Sequence, residues 1–145
     1  MYNEREFIRA VKQSFEMYKI HGARSTAKLK PIHKYFADVL YSIWGKGFDY
    51  HYIGVDSKEM TVSGKYYPKD IDITVTHKGI AVFCLGIKFV TSNYKQNSNN
   101  YFENMMGETA NIQATGNLPY AQLIILRHKT PYYLKNKQRT LKLTA

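Results

Sequence analysis

Apolar residues recur at three- and four-residue spacing twice before residue 45, and beyond it the period shortens to two. In "NEREFIRAVKQSFEMYKI", Phe7, Ile8, Val11, Phe15 and Tyr18 fall on one stripe, which predicts an amphipathic helix. Its acids come early, where a helix N-terminus favours negative charge, and "HGARS" ends it. A second stripe of Leu29, Ile32, Phe36, Val39, Leu40 and Ile43 predicts a helix from about Ser25 to Trp44, stopped by "GKG". Pro31 must lie in its first turns or kink it.

From "FDYHYIGV" onward the pattern is that of strands. "DSKEMTVSGK" is a polar connection with room for a short strand, "DIDITV" is a strand, "THKG" a hairpin turn, and "IAVFCLGIKFV" a longer, more buried strand. "TSNYKQNSNN" reads as a polar loop and "YFENMMGETANIQA" as a helix with Tyr101, Phe102, Met105, Met106 and Ile112 facing inward. After the turn "GNLP", "YAQLIILRH" is a buried strand. No pattern follows Thr130, so the expectation is one domain over 1–129 and a basic tail over 130–145, loose or ordered by a partner. After the first helix the order is α, β, β, β, α, β. An antiparallel hairpin followed by a helical crossover predicts an α/β (α+β) fold with a mixed central sheet flanked by helices.

At 145 residues the chain can bury one core. Its 44% hydrophobic and 14% aromatic content exclude a disordered chain. No apolar run reaches membrane-spanning length, and "MYNEREFIRA" lacks the apolar centre of a signal peptide. A lone cysteine, Cys84, forbids an internal disulfide and fits a reducing, cytoplasmic setting. None of His21, His33, His51, His77 and His128 pairs with another, or with Cys84, at a zinc-ligand spacing.

Charge changes the picture more. The 21 Lys and Arg outnumber the 11 Asp and Glu, for a net +10, and no carboxylate follows Glu108. Basic side chains interleaved with tyrosines point to a polyanionic partner, nucleic acid before others; a basic protein without such a partner is the plain alternative. Lys28, Lys30, His33 and Lys34 form a candidate phosphate-facing strip, or simply a solvated face. Asn93, Lys95 and Gln96 crowd the segment after the long strand and are candidate nucleic-acid contacts; the alternative is a loop-and-cap role, with Ser98 or Asn99 as the cap of the following helix.

Two aspartates and a lysine interrupt the apolar strands. Strand alternation puts Asp70 and Asp72 on one face, and Lys88 on the face of Gly86. Buried charges must be paired or bind a metal. Lys88 therefore either forms a salt bridge with an aspartate or acts beside a carboxylate-held divalent ion. The second arrangement suits phosphodiester hydrolysis: Mg²⁺ takes one or two carboxylates plus phosphate oxygens, and an amine can orient the attacking water.

The segments "YYPKDIDITV" and "AVFCLGIKFV" resemble the PD-(D/E)xK nuclease superfamily, which includes most type II restriction endonucleases and has an αβββαβ core. The resemblance covers roughly Thr26 to Arg127. It implies that Asp72 is the metal aspartate, with Asp70 its rival, and that Lys88 is the motif lysine. Gly86 stands where the motif carries an acid. A subset of restriction enzymes moves that acid to the helix after the lysine strand, leaving a small residue behind. Here Glu103, fifteen residues past Lys88, is the better match in distance and Glu108 the alternate. The implied activity is Mg²⁺-dependent DNA cleavage by Asp72, Lys88 and Glu103, in a homodimer or larger assembly so that both strands are cut. An inert or truncated DNA-binding or assembly domain of the same fold, and a structure-selective nuclease such as a junction resolvase, are the rival readings.

Overall fold

The computed structural model describes residues 1–128, 131–133 and 141–143. Helix α1 (Glu4–His21) opens on Asn3, whose side chain accepts a hydrogen bond from the Glu6 N–H, and closes at Gly22 in a positive-φ conformation. A 3₁₀ turn at Thr26–Leu29, capped by Ser25, leads into α2 (Lys30–Trp44). Pro31 sits in the first turn of α2, where its missing N–H costs nothing.

The strands are β1 (Asp49–Tyr52), β2 (Met60–Ser63), β3 (Pro68–Ile71), β4 (Ile73–His77), β5 (Ile80–Val90) and β6 (Tyr120–Leu126). Helix α3 (Tyr94–Gln113) joins β5 to β6. The main sheet has the order β1-β4-β5-β6, with β1, β4 and β5 antiparallel and β5–β6 parallel. From α2 onward, the elements that build this sheet follow the expected order α, β, β, β, α, β. The β4–β5 turn puts Lys78 and Gly79 at φ 51° and 78°, the twist that a two-residue hairpin favours. Strands β2 and β3 form a separate antiparallel hairpin inserted before β4. Beyond residue 130, Pro131–Tyr133 (β7) and Leu141–Leu143 (β8) pair antiparallel where the sequence pattern shows no element.

The sheet's two faces carry different layers. On one, Ile73, Val75, Leu85 and Ile87 pack against Ile32 and Leu40 of α2, with Val11 of α1 at the margin. On the other, Cys84 and Tyr120 meet Ile112 of α3 together with Val62 and Ile71 of the hairpin. Cys84 is a small core residue, and burial pushes its thiol up to about 11.

Several expected positions are corrected. α3 begins at Tyr94, so most of the polar segment "TSNYKQNSNN" is helix, and the residue at its cap is Asn93 at φ 55° rather than Ser98 or Asn99. Phe102 and Met106 are exposed, because α3 turns Glu108, Asn111 and Ile112 to its buried side. α1 turns Ala10 and Ser14 inward, which leaves Ile8 exposed.

Asn111 ties α3 to the hairpin. Its Oδ1 accepts from the Tyr66 and Tyr67 N–H groups at 2.8 and 3.2 Å, and its Nδ2 donates to the Tyr67 carbonyl at 2.9 Å. Gly64 makes room for this amide, since a Cβ there would lie 2.1 Å from Nδ2. Asn111→Ala takes this partner from the Tyr66 and Tyr67 N–H groups, while the Tyr67 carbonyl keeps the Gly64 N–H, and is expected to cost about 2 kcal/mol in urea unfolding; an unchanged midpoint would show that the tie does not hold the hairpin.

Candidate active site

The chain changes sheets at Asp72. β3 ends at Ile71 in the hairpin and β4 starts at Ile73 in the main sheet, which leaves Asp72 in neither ladder. Its Oδ2 accepts a hydrogen bond from the Ile87 N–H at 2.6 Å, pinning the carboxylate against β5. The expectation that Asp70 and Asp72 share one strand face fails for the same reason. Asp70 belongs to β3, pairs with Thr61 across the hairpin, accepts from its hydroxyl and stays exposed.

Lys88 does lie on the α3 face of β5, as its parity with Gly86 requires, and there it meets Glu108. The Lys88 Nζ stands 3.3 Å from Glu108 Oε1 and the Lys69 Nζ 3.0 Å from the same oxygen. Oε2 accepts from the Tyr120 hydroxyl at 3.1 Å. Burial works to raise the Glu108 pKa. The hydrogen bond from Lys69, the Lys88 and Lys69 charges and the Tyr120 bond outweigh it and hold the carboxyl below its usual range. Burial opposes the Lys69 charge, but its bond to Glu108 raises its pKa overall. Tyr120 is pushed upward by burial and by the neighbouring Glu108 carboxylate.

Gly86 is where these groups meet. A Cβ built there would lie 2.5 Å from the Tyr120 hydroxyl, so the strand position is empty because that hydroxyl fills it on its way to Glu108. The helix acid that reaches Lys88 is Glu108. Glu103, expected in that place, lies more than a turn earlier on α3 and is exposed.

Asp72 gathers a second set of groups. One ligand atom each from His33, Glu59 and Asp72 lie within 4.8 Å of one another. His33 is fully buried, with its Nε2 3.9 Å from Asp72 Oδ1. Burial lowers the His33 pKa against the pull of Asp72. The Glu59 carboxyl is raised by burial and then by the Asp72 and Asp70 charges. Asp72 and Glu108 share Lys69 and Tyr120 as electrostatic neighbours, which places both sets in one region.

No family model, curated protein or solved structure matches this chain. Among the described residues, no helix is long and apolar enough to cross a membrane.

The candidate nucleic-acid contacts scatter. His33 leaves the proposed strip on α2 by turning inward, Lys30 is exposed, and Lys34 is paired with Asp38 at 2.8 Å. Lys95 and Gln96 are exposed in the first turn of α3, beside Asn93. At 1.5 Å per residue they stand about 20 Å along the axis from Glu108. Lys69, Tyr120 and Glu59 were not legible as site residues, and His33 only as part of the α2 strip. Parity with Asp72 along "YYPKDID" separates Lys69 from it, and the ligands at 33, 59 and 72 come from three distant segments with no spacing to mark them.

Proposed function

We propose that the chain is a metal-dependent DNA endonuclease of the PD-(D/E)xK type. One observation carries this reading: consecutive elements of the sheet side, the Asp72 junction, β5 and α3, bring an acid, an amine and a second acid into one region around Gly86. The oxygen donors of Asp72 and Glu59 suit a divalent cation. A cation bound there supplies Lewis-acid polarisation of the scissile phosphate. Lys88 orients the attacking water and offsets the charge that develops on the phosphate oxygens. Glu108 holds the Lys88 ammonium in place, and Tyr120 fixes Glu108 in turn. The net charge of +10 supplies the attraction to a DNA backbone, with Lys30, Lys95 and Gln96 as exposed contacts. Cutting both strands takes two such sites, hence a homodimer.

A second reading has its own support. Glu108 is bonded at both oxygens, to Lys69, Lys88 and Tyr120, as a structural cluster would be. An inert DNA-binding domain of this fold fits that arrangement. Supercoiled plasmid separates the two. The wild-type chain with Mg²⁺ or Mn²⁺ is expected to nick or linearise it, EDTA to stop the reaction, and Asp72→Asn to slow it at least about 10²-fold with DNA retention intact. A chain that retards DNA in a gel but never cuts it with either ion is the inert domain.

A further inference from the structure

We propose that His33, Glu59 and Asp72 form a binding site for a divalent first-row transition cation, preferring Mn²⁺ or Co²⁺ to Mg²⁺. Two independent observations meet here. Three ligand atoms from separate segments converge within 4.8 Å. Separately, His33 is fully buried with neither ring nitrogen hydrogen-bonded among the described residues, an arrangement folded chains avoid because each orphaned polar atom is costly.

The distances favour an ion over a direct contact. His33 Nε2 and Asp72 Oδ1 are 3.9 Å apart, too far for a hydrogen bond. Two donors that each stand about 2.1 Å from one ion are separated by about 3.0 to 4.2 Å, depending on the angle at the ion. The 3.9 Å gap lies inside that span, and the 4.8 Å outer limit of the triad needs only a small closing movement. Asp72 is already oriented for it, since its Oδ2 is held by the Ile87 N–H while Oδ1 faces the imidazole.

The donor set decides the ion. Mg²⁺ keeps oxygen ligands and its waters, whereas imidazole suits the softer first-row ions. A buried imidazole beside two carboxylates therefore favours the first-row ions over Mg²⁺. This site shares Asp72 and Glu59 with the hydrolase reading and deepens it, but direct metal binding tests it without DNA.

The experiment titrates Mn²⁺, Co²⁺ and Mg²⁺ separately into the full chain by calorimetry, with the visible Co²⁺ spectrum as a ligand-sensitive readout. One Mn²⁺ or Co²⁺ per site is expected to bind at least about tenfold more tightly than Mg²⁺. Glu59→Gln, at a half-buried position, and His33→Gln are each expected to weaken Mn²⁺ at least about tenfold, and His33→Gln to shift the Co²⁺ bands. Transition-ion binding that neither substitution changes, or Mg²⁺ binding as tight as Mn²⁺, overturns the site. Folding of each variant is checked by circular dichroism, and Glu59→Gln carries the test if His33→Gln unfolds. A chain that takes up Mn²⁺ through these residues but cuts no DNA keeps the metal site and loses the hydrolase. A chain that cuts with Mg²⁺ and shows no such uptake does the reverse.

Discussion

A Lys88→Ala chain is expected to bind DNA nearly as well as wild type and to cleave it about 10³-fold more slowly. The separation of the two effects follows from how Glu108 is held. Removing the Lys88 ammonium leaves Glu108 with Lys69 at 3.0 Å and the Tyr120 hydroxyl at 3.1 Å, so the buried carboxylate is not orphaned. Lys88 is itself 28% exposed, and its loss opens no large cavity. Stability should therefore change by less than about 1 kcal/mol, within the range of a partly solvated pair. Single-turnover cleavage of a plasmid, set beside a gel-shift titration and a melting curve, reads all three quantities. Cleavage at the wild-type rate by Lys88→Ala would remove the amine from the mechanism and leave the Lys69–Glu108–Lys88 cluster as scaffold.

The second large effect concerns Gly86. Placing a carboxylate at that position by Gly86→Asp is expected to wreck the cluster rather than extend it. Even Gly86→Ala places a Cβ 2.5 Å from the Tyr120 hydroxyl, and Tyr120 is a rigid, buried ring. Either the ring or the β5–β6 pairing at Cys84–Tyr120 must shift. Overpacking together with the lost bond to Glu108 should cost about 3 kcal/mol. Gly86→Asp adds a second carboxylate beside Glu108 and should cost more. Combining Gly86→Ala with Tyr120→Phe removes the hydroxyl that collides, so the double variant should recover at least about 1 kcal/mol relative to the sum of the single losses. Additive losses in that cycle would mean that Gly86 is small for some other reason.

The sequence made some of this legible and hid the rest for identifiable reasons. Lys88 stood out because an ammonium inside "IAVFCLGIKFV" breaks an apolar strand, and period-two parity alone sends it to the face of Gly86. The order of elements that build the main sheet followed from the same alternation. "DIDITV" misled because alternation records which way side chains point and not which neighbour a strand pairs with. The run continues smoothly across Asp72 while the hydrogen-bonding partner changes from β2 to β1 and β5. Glu103 was favoured over Glu108 on distance along the chain. The structure brings Glu108 to Lys88 because α3 sets its buried face at Glu108, Asn111 and Ile112, which leaves Glu103 exposed. His33 was grouped with the lysines around it, yet it sits beside Ile32 on the inward side of α2. Glu59 gave no signal at all, being one acid in a polar connection.

Lys69, Lys88 and Glu108 are carried by the inserted hairpin, the main sheet and α3 respectively, so this one carboxylate is where three separately supported pieces of the molecule touch. Sliding the hairpin by an ångström or two would change how many cations Glu108 counts as neighbours without moving Lys88 on its own strand. The Asn111 clasp, which fastens the hairpin to the same helix that bears Glu108, is what keeps that count fixed.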